Sequence, residues 1–375
     1  MNVGIDTFGC DHGRSGLGSY LYSLQKALSK TEDTEFSLFG PELDRYTYTG
    51  ENPLDFIGVD IQDTLFSELW FHKFKIKQFV KKQGFDAVIY GAGARMLPPK
   101  FKVPSVVLVN DVLSTVLSES RSSWQKSQIC RGLSKASCVI VPSIYAKNDM
   151  LSCGITPARL EVVYSGVDRS IFYPEENLVS DSGTVDIKPF AIKKPYIIYP
   201  SRMHSAQKKH VELIKAFSLL KKKTSCPHRL VLAGNEGAYS EEVHKAVLAS
   251  EYASDIFITG YFPHQNFPEL YRGAEACVFP SVNEGAALPV LESLATGVPL
   301  ACSKSGALKE LAGDNALFFD SSDIQAIAFC METLLFDSEK RAELIKGGLK
   351  WTENFSWEKN AGRTLEIIKE VTEKQ

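Results

Sequence analysis

The sequence lacks several features that define whole classes of protein. It has no strong net charge, since 42 Lys and Arg against 45 Asp and Glu give −3 at pH 7. No global field therefore attracts nucleic acid, and a polyanionic partner needs a local cluster of cations. It has no low-complexity tract, and 44% hydrophobic with 23% charged residues is the composition of an ordinary folded protein. Its 375 residues predict two domains.

Paired cysteines and export signals are also missing. The eight cysteines form no Cys-x-x-Cys pair, and several, such as Cys277 and Cys302, interrupt apolar runs. Buried, reduced thiols of a cytosolic protein explain this pattern. The N-terminus has no signal-peptide pattern, and the most apolar run, 103–117, is broken by polar residues and too short to span a bilayer. We therefore expect a cytoplasmic location.

Short β-branched runs alternate with helical segments, which is typical of α/β proteins with parallel sheets. The predicted strands are 2–6, 36–39, 86–90, 103–110, 138–142, 160–164, 196–200, 229–233, 256–260, 276–280, 299–302 and 316–319. The segment from Asp168 to Pro195 has several prolines and little periodicity, so it predicts a linker or a surface excursion between the domains. We expect two doubly wound, Rossmann-like domains, 1–170 and 190–356, facing a central cleft. A last helix, 357–375, would cross back to the first domain.

A glycine-rich loop follows the first predicted strand. Its sequence is Gly13-Arg14-Ser15-Gly16-Leu17-Gly18-Ser19-Tyr20. Glycines at a helix start allow backbone N–H groups to approach an anion closely. No Gly-Lys-Ser/Thr follows, and Leu21 occupies the third glycine position of the dinucleotide fingerprint, so a nicotinamide dehydrogenase is disfavoured. A glycine turn without a ligand is the alternative.

Two cations follow the first strand of the second domain. Arg202 comes directly after Pro200-Ser201, and Lys208 precedes the next helix. A guanidinium fork and an ammonium point charge at the carboxyl end of a strand suit a diphosphate. An ordinary solvated basic loop is the alternative.

Two acids flank a predicted helix start. Pro289 fits the first turn of a helix, Glu284 lies in the loop before it, and Glu292 lies about one turn in. A carboxylate at Glu292 suits paired ribose hydroxyls, and Glu284 could touch a sugar. The amides that would point at an anion from this helix start belong to Gly285, Ala286, Ala287 and Leu288. Helix capping by the two acids is the alternative.

Taken together, these motifs resemble the GT-B glycosyltransferases of family 4. Glu284 and Glu292 match the Glu-x7-Glu motif of that family, and the resemblance covers nearly the whole chain. The other matching segments are 143–168, 260–262, 270–274, 305–313 and 355–357. The branch that looks most similar contains bacterial O-antigen and capsule mannosyltransferases.

The resemblance implies a retaining, metal-independent transferase without a cofactor. It would move a hexose from a GDP- or UDP-linked sugar, with GDP-mannose the first choice, to a glycan or lipid-linked acceptor. Arg202 and Lys208 would neutralise the leaving diphosphate, Glu284 would contact the sugar and Glu292 the ribose. The remaining donor-side residues would be Gly16, from the opposite domain, Tyr261 and Phe262, near the base, and the four amides 285–288. The leaving phosphate would accept the acceptor's proton.

The chain departs from the family at three positions. Ala286 and Ala287 stand where the family usually has phenylalanine and glycine, and Asn110 stands where histidine often precedes Asp111. Asn110 can hydrogen-bond an acceptor hydroxyl but cannot titrate. These departures leave two alternatives open, a nucleotide-sugar epimerase or hydrolase of the same architecture and a non-catalytic sugar-nucleotide-binding relative.

The segment from Trp70 to Lys82 carries five lysines with interleaved apolar residues. A basic amphipathic helix of this kind can lie on anionic lipid, which predicts a peripheral contact at the inner membrane face. A surface helix that packs its apolar stripe on the sheet is the alternative.

Overall fold

The computed structural model describes residues 1–13, 15–29, 33–48, 54–119, 122–174, 183–187, 190–262 and 264–374. The chain forms two compact units. Unit 1 consists of Met1–Gly166 and Ser356–Gln375, and unit 2 consists of Val167–Phe355.

The described part of unit 1 contains a parallel sheet with helices between its strands. The strands are β1 (Asn2–Asp6), β2 (Glu35–Pro41), β3 (Asp55–Val59), β4 (Ala87–Tyr90), β5 (Ser105–Leu108), β6 (Cys138–Val141) and β7 (Leu160–Val162). The helices are α1 (Gly16–Leu28), α2 (Arg45–Tyr48), α3 (Leu65–Trp70), α4 (Ile76–Gln83), α5 (Leu113–Ser118), α6 (Ser123–Lys135) and α7 (Ile144–Ser152). Spatially the strands run β3-β2-β1-β4-β5-β6-β7.

The described part of unit 2 contains a second parallel sheet, ordered β12-β11-β10-β13-β14-β15, and a separate hairpin of β8 and β9. Its strands are β8 (Thr184–Ile187), β9 (Phe190–Lys193), β10 (Tyr196–Pro200), β11 (Arg229–Ala233), β12 (Ile256–Gly260), β13 (Ala276–Phe279), β14 (Leu300–Ser303) and β15 (Ala316–Phe319). Its helices are α8 (His210–Thr224), α9 (Ser240–Leu248), α10 (Phe267–Arg272), α11 (Leu288–Ala295), α12 (Leu308–Ala312), α13 (Ile324–Phe336) and α14 (Ser338–Trp351).

The last helix, α15 (Trp357–Glu373), belongs to unit 1 and packs on α1. Tyr20 of α1 is buried against it, with the Tyr20 ring edge-on to Trp357 at 5.1 Å between centroids. Asn360 donates a hydrogen bond to the Tyr20 hydroxyl at 3.1 Å and another to Tyr164 O at 2.8 Å. A buried amide with two acceptors fixes the helix in one register on this surface.

The strands form where apolar runs can be covered on both faces. Every residue of β5, Ser105–Leu108, is buried, as is every residue of β6, Cys138–Val141. Helices on both faces of a parallel sheet require such continuous apolar strands. Each predicted strand has an observed counterpart, and β3 is an additional strand at the edge of the unit 1 sheet.

The segment from Asp168 to Pro195, predicted as a linker or a surface excursion, belongs to unit 2 in the residues that the structure describes there. Residues 184–187 and 190–193 form the antiparallel hairpin, and its Phe190 ring packs on Phe257 and Phe262 at 5.8 and 5.9 Å. Phe172 is also buried. Apolar side chains between the prolines therefore fold this segment onto unit 2, while 175–182 and 188–189 lie outside the described residues.

Both sheets reverse their strand order next to the first strand. In unit 1 the reversal lies between β1 and β4, and in unit 2 it lies between β10 and β13. In open parallel sheets the crevice outside the carboxyl ends of such strands is where ligands bind. Arg202 follows β10 and Glu284 follows β13, so these candidates flank the reversal of unit 2.

Candidate functional site

The two predicted cations of unit 2 lie on the loop between β10 and α8. Arg202 begins the loop, and Lys208 ends a short helical turn, Ala206–Lys208, just before α8. Partial burial, together with the positive charges of Lys208 and Arg202, lowers the pKa of His204. Both cations therefore act on one imidazole, and the structure brings them together at the end of β10.

Close packing of backbone holds this loop in place. Ser201 N donates to Ala233 O at 2.9 Å, and the hydroxyl of the buried Tyr199 donates to Lys208 O at 2.6 Å. A Cβ at Gly234 would lie 2.3 Å from Ser201 O, so only glycine allows the strands to end this close together. The cation loop is therefore pinned at both of its ends.

Glu284 contacts Lys208 directly. Its Oε1 accepts hydrogen bonds from Lys208 Nζ and from the Ser281 hydroxyl. The two charged side chains are only 19% and 15% exposed, so water screens this pair less than it screens a surface pair. Val282 N donates to Gln207 O at 2.9 Å and joins the two loops through the backbone. An anion bound here would compete with Glu284 for the ammonium of Lys208.

The loop after β14 supports the backbone of Glu284. Ala307 N donates to Glu284 O at 2.9 Å. Gly306 has φ +68°, and a Cβ there would lie 2.7 Å from Glu284 N. A side chain at Gly306 would therefore displace the acid. The sequence marks 305–313 only as a family segment, so this supporting role was missed.

The helix start after Glu284 keeps a left-handed residue. α11 begins at Leu288 with Pro289 in its first turn, as predicted, and no side chain caps it. Ala287, immediately before it, has φ 39° and ψ 49°. This conformation costs a residue with a Cβ about 1–2 kcal/mol. Ala287 therefore adopts a glycine-like backbone conformation, next to a half-buried Ala286 and a buried Gly285.

Glu292 lies inside unit 2, with only 6% of its surface exposed. His264 Nε2 lies 2.9 Å from its Oε1, and the Tyr271 hydroxyl donates to its Oε2 at 3.0 Å. The hydrogen bond and negative charge of Glu292 outweigh the effect of burial and raise the pKa of His264. Sequence reasoning missed both partners, although Tyr271 lies in a segment that carries the resemblance.

The two predicted base-contacting aromatics differ in exposure. Tyr261 is 54% exposed, whereas Phe262 is 4% exposed. The Phe262 ring is covered by Phe190 and by Phe267, the latter at 5.2 Å. Of the two rings, Tyr261 is the one that a base could stack on, and its role stays a prediction.

In unit 1, Gly16 opens α1 with free space above it. Ser15 caps the helix by accepting a hydrogen bond from Gly18 N at 3.2 Å. A Cβ at Gly18 would lie 2.4 Å from Gly13 Cα, but one at Gly16 would meet no described atom within 4 Å. Internal packing therefore explains Gly18 and leaves Gly16 unexplained. Its predicted contact with the donor stays a prediction, and Arg14 of this loop lies outside the described residues.

The predicted acceptor-side residues follow β5. Asp111 accepts hydrogen bonds from Arg95 Nε at 2.9 Å and Arg95 Nη2 at 3.1 Å, and Asp11 lies 3.6 Å from Arg95 Nη1. Asn110 Nδ2 is a buried donor without a hydrogen-bond acceptor among the described residues. A buried unsatisfied donor costs free energy, which a bound hydroxyl would recover by accepting from it.

Two histidine–aspartate pairs lie near the end of β1 and were not predicted. His12 Nδ1 lies 2.6 Å from Oδ1 of Asp44. The other carboxylate oxygen of Asp44 accepts a hydrogen bond from the Thr7 hydroxyl. His72 Nε2 lies 2.7 Å from Asp6 Oδ2 in full burial. His12 has φ 50°, a strained conformation that often marks functional loops. The partners are 32 and 66 positions apart, so no local spacing announces them.

The lysine-rich segment from Trp70 to Lys82 spans the end of α3, a π-helical turn and most of α4. Phe71, Ile76 and Val80 are buried, as expected for a helix that packs its apolar stripe inside unit 1. Trp70 and Phe74 are 44% and 54% exposed. The segment therefore combines a packed apolar stripe with two exposed aromatic side chains, and its contact with a membrane stays a prediction.

Comparison with known sequences identifies the family of this chain. The sequence model of the group 1 glycosyl transferases matches residues 185–351, and that of glycosyltransferase family 4 matches residues 14–171. The chain belongs to glycosyltransferase family 4. The predicted resemblance is thereby confirmed.

Individual relatives of this family 4 chain match parts of it. O-antigen chain mannosyltransferase B of Escherichia coli is 33% identical over 157 residues, which are 42% of this chain and 41% of that protein. A sulfoquinovosyl transferase of Arabidopsis thaliana is 24% identical over 275 residues, 71% of this chain and 51% of that protein. The chain thus spans about half the length of these two curated relatives, or less.

Solved structures confirm the GT-B fold of this family 4 chain. Sucrose-phosphate synthase from Thermosynechococcus elongatus has a TM-score of 0.78 at 18% identity, with 100% of both chains covered. Anabaena HepE in complex with UDP and glucose has a TM-score of 0.78 at 16% identity, with 99% and 100% covered. At these identities the likeness concerns the fold alone.

Two further features of the described residues are their metal-ligating side chains and their helix lengths. The described residues contain no group of three or more His, Cys, Asp or Glu side chains arranged to hold a metal ion. Within the same parts of the chain, no helix combines the length and apolar character needed to cross a bilayer.

Proposed function

We propose that this protein is a retaining glycosyltransferase that moves a hexose from a nucleotide sugar to a hydroxyl of a glycan or lipid-linked acceptor. The observation that carries the proposal is the arrangement of Arg202, Lys208, Glu284 and Glu292 around the strand reversal of unit 2. It combines cations for a diphosphate, an acid for a sugar and a buried acid for a ribose in one unit.

The proposed chemistry relies on charge at the leaving group. Breaking the bond between a sugar and a diphosphate leaves positive charge on the ring and negative charge on the phosphate. Arg202 and Lys208, with the amides 285–288, would stabilise the phosphate, and such preorganised groups are usually the largest catalytic contribution. Lys208 is held by Glu284, so it would turn from the acid to the diphosphate as the donor binds. With two protein cations in this role, we propose that no metal ion or other cofactor is needed.

Glu284 would then be released to the donor sugar, where its carboxylate can accept from a hydroxyl. The acceptor hydroxyl would attack from the side of the leaving phosphate, which would accept its proton. Attack on that same face would retain the anomeric configuration. Asn110 and Asp111 would hold the acceptor. This route needs no pair of carboxylates like that of a glycosidase.

We propose mannose from GDP-mannose as the donor. The E. coli relative at 33% identity, an O-antigen mannosyltransferase, supports this choice. The structural neighbour HepE is solved with UDP and with UDP-glucose, which makes a UDP-linked sugar the second choice. Biosynthesis of a surface polysaccharide or lipopolysaccharide would be the setting.

We further propose a cytoplasmic enzyme with a peripheral contact at the inner membrane face. The eight cysteines are free thiols, as in a reducing compartment. Lys73 Nζ lies 4.9 Å from the Phe74 ring centroid and 4.5 Å from that of Trp124, and Lys75 Nζ lies 5.5 Å from that of Trp70. Exposed rings beside lysines suit the interface of anionic lipid. Loss of sedimentation with anionic vesicles in W70S/F74S would support the contact, and equal sedimentation would refute it.

Thermal unfolding with nucleotides tests the donor. A ligand that binds the folded state raises its stability, so GDP or UDP should raise the midpoint, and adenosine diphosphate should not. GDP-mannose or a UDP-sugar should then be consumed with an acceptor glycan, giving free nucleotide and an elongated glycan of unchanged anomeric configuration. Turnover should persist in excess chelator.

The alternatives predict other products. An epimerase would form the 2-epimer without an acceptor, a hydrolase would release free sugar, and a non-catalytic relative would bind nucleotide sugar without turnover across many acceptors. Failure of every nucleoside diphosphate to shift the midpoint would refute the whole proposal.

A further inference from the structure

The carboxylate of Glu292 is enclosed by two donors from other elements. His264 Nε2 lies at 2.9 Å from one oxygen, and the Tyr271 hydroxyl lies at 3.0 Å from the other. With only 6% of Glu292 exposed, an unpaired charge here would be costly. Each carboxylate oxygen can accept a second hydrogen bond, so both retain room for one ligand hydroxyl.

The two donors are themselves held by aromatic packing. Tyr271 is fully buried, and its ring lies 6.0 Å from Phe172 and 6.2 Å from Phe267. The His264 ring lies 5.7 Å from the same Phe172 and 6.2 Å from Phe267. Both donors thus sit in one aromatic frame, which limits the rotation of the carboxylate between them.

His264 differs from Tyr271 in facing the solvent, with 41% of its side chain exposed, while the carboxylate behind it is 8% exposed. The imidazole therefore lies at the surface of unit 2, in contact with the buried carboxylate. Deleting it would leave one oxygen of Glu292 without its donor and free to turn toward water.

We propose that His264, together with Tyr271, positions Glu292 so that its two oxygens accept hydrogen bonds from the paired ribose hydroxyls of the nucleotide. This inference rests on the proposed function and assigns His264 and Tyr271 as positioning residues. They act through the acid, so their loss should weaken recognition of the ribose and leave contacts with the diphosphate unchanged.

The test compares a nucleoside diphosphate with its 2′,3′-dideoxy analogue by calorimetry, using whichever base the protein binds. The wild type should prefer the natural ribose, since hydrogen bonds to a charged acceptor contribute roughly tenfold or more in affinity. H264A and Y271F should each reduce this preference by about fivefold, the contribution of one ordinary hydrogen bond. H264Q keeps a donor and should restore most of it. In turnover, H264A should raise KM for the donor and leave kcat nearly unchanged.

His228 supplies a matched control. It forms a pair with Glu275 at the same 2.9 Å in the same unit. His228 and Glu275 precede β11 and β13, so they lie at the amino ends of the strands, opposite the candidate site. H228A should therefore leave the preference for ribose unchanged, even if it lowers the unfolding midpoint.

The outcomes are separable. An unchanged preference in H264A and Y271F would overturn the inference, and if either variant fails to fold, the other decides. Equal loss of affinity for the natural and dideoxy ligands would also overturn it, because that result marks a merely structural role. If the wild type binds no nucleoside diphosphate at all, the proposed function fails and the inference fails with it.

Discussion

The carboxyl ends of the strands in the two units share a topology but present different charges. In unit 2, the loops after β10 and β13 carry Arg202, Lys208 and Glu284, and Glu292 follows in α11. In unit 1, the equivalent region carries aspartates paired with imidazoles, namely Asp6 with His72 and Asp44 with His12, while its cation Arg95 is paired with Asp111. Related sheets can therefore carry different groups at their carboxyl ends, because function depends on the residues placed on a fold.

This difference suits two different ligands. Protein cations beside a helix start favour a phosphate-bearing ligand, whereas carboxylates and imidazoles that already neutralise one another favour hydroxyl groups. We therefore assign the donor to unit 2 and the acceptor to unit 1. Variants that change one of these two regions and leave the other intact test this assignment.

The largest expected effect comes from the cations of unit 2. R202A and K208A should each lower turnover about 10²- to 10³-fold, as removal of one oxyanion donor does. Calorimetry should show weaker binding of the nucleoside diphosphate in both variants. K223A removes a lysine that pairs with Glu332 on the surface of the same unit and should change neither quantity.

The unit 1 counterpart of that experiment is D111N. It weakens the two hydrogen bonds from Arg95 and should leave the affinity for the nucleoside diphosphate unchanged, while raising KM for the acceptor. A lower nucleotide affinity in D111N would contradict the assignment of the donor to unit 2.

The next effect concerns Gly16, the residue of unit 1 that should reach the donor. A methyl group there meets no described atom, so G16A should fold normally. If the backbone approaches the diphosphate during catalysis, the methyl should lower turnover by roughly 10- to 100-fold through misplacement of the ligand. Measuring both the stability and the kcat of G16A distinguishes a lost contact with the donor from a folding defect.

G18A is the contrast to G16A. Its Cβ would lie 2.4 Å from Gly13 Cα, so it should lower the unfolding midpoint. Full turnover in G16A would remove Gly16 from the site and confine donor binding to unit 2.

A smaller effect is expected from the difference between the N-termini of α1 and α11. Ser15 caps α1, whereas Ala287 before α11 is left-handed without a side-chain cap. A287G should raise the free energy of unfolding by about 1 kcal/mol, because glycine removes the left-handed strain and loses part of that gain to chain entropy. Urea unfolding measures it. Lower stability in A287G would show that the Ala287 methyl contributes more by packing than it costs in strain.

The sequence was sufficient for elements whose pattern is local. The apolar runs of β5 and β6 predict buried parallel strands, and Pro289 predicts the start of α11. Strand β3 was not predicted because it begins with Asp55, contains Gly58 and lies at an edge of the sheet, where only one of its residues, Phe56, is buried. The hairpin of β8 and β9 was not predicted because the prolines around it dominate the composition of that segment.

The candidate site divides in the same way. Arg202 and Lys208 could be predicted because loops at the carboxyl ends of parallel strands meet. The partners of the acids could not, because His264 and Tyr271 precede Glu292 by 28 and 21 positions and reach it only through packing. The imidazoles His12 and His72 of unit 1 depend on equally distant aspartates.

The last expected effect is a difference in pH dependence between the units. In unit 1, burial raises the pKa of Glu68 from 4.5 to about 7. Burial alone would lower the pKa of His72, but Asp6 outweighs that effect and raises it. In unit 2, the hydrogen bond from His228 lowers the pKa of Glu275. A group whose pKa is raised on folding binds its proton more tightly in the folded state than in the unfolded state. It therefore stabilises the protein at low pH, and this effect is lost as the pH rises through the folded pKa. A lowered acid does the opposite.

E68Q isolates the unit 1 contribution. The difference in unfolding free energy between wild type and E68Q should move against the wild type as the pH rises from 4.5 to about 7, because only the wild type must release the proton. E275Q should show the reverse, with the wild type losing its advantage as the pH falls through the lowered pKa of Glu275. Urea unfolding from about pH 3 to about pH 8 covers both windows and gives both differences. Parallel slopes for the two variants would contradict the opposite pKa shifts of the two acids.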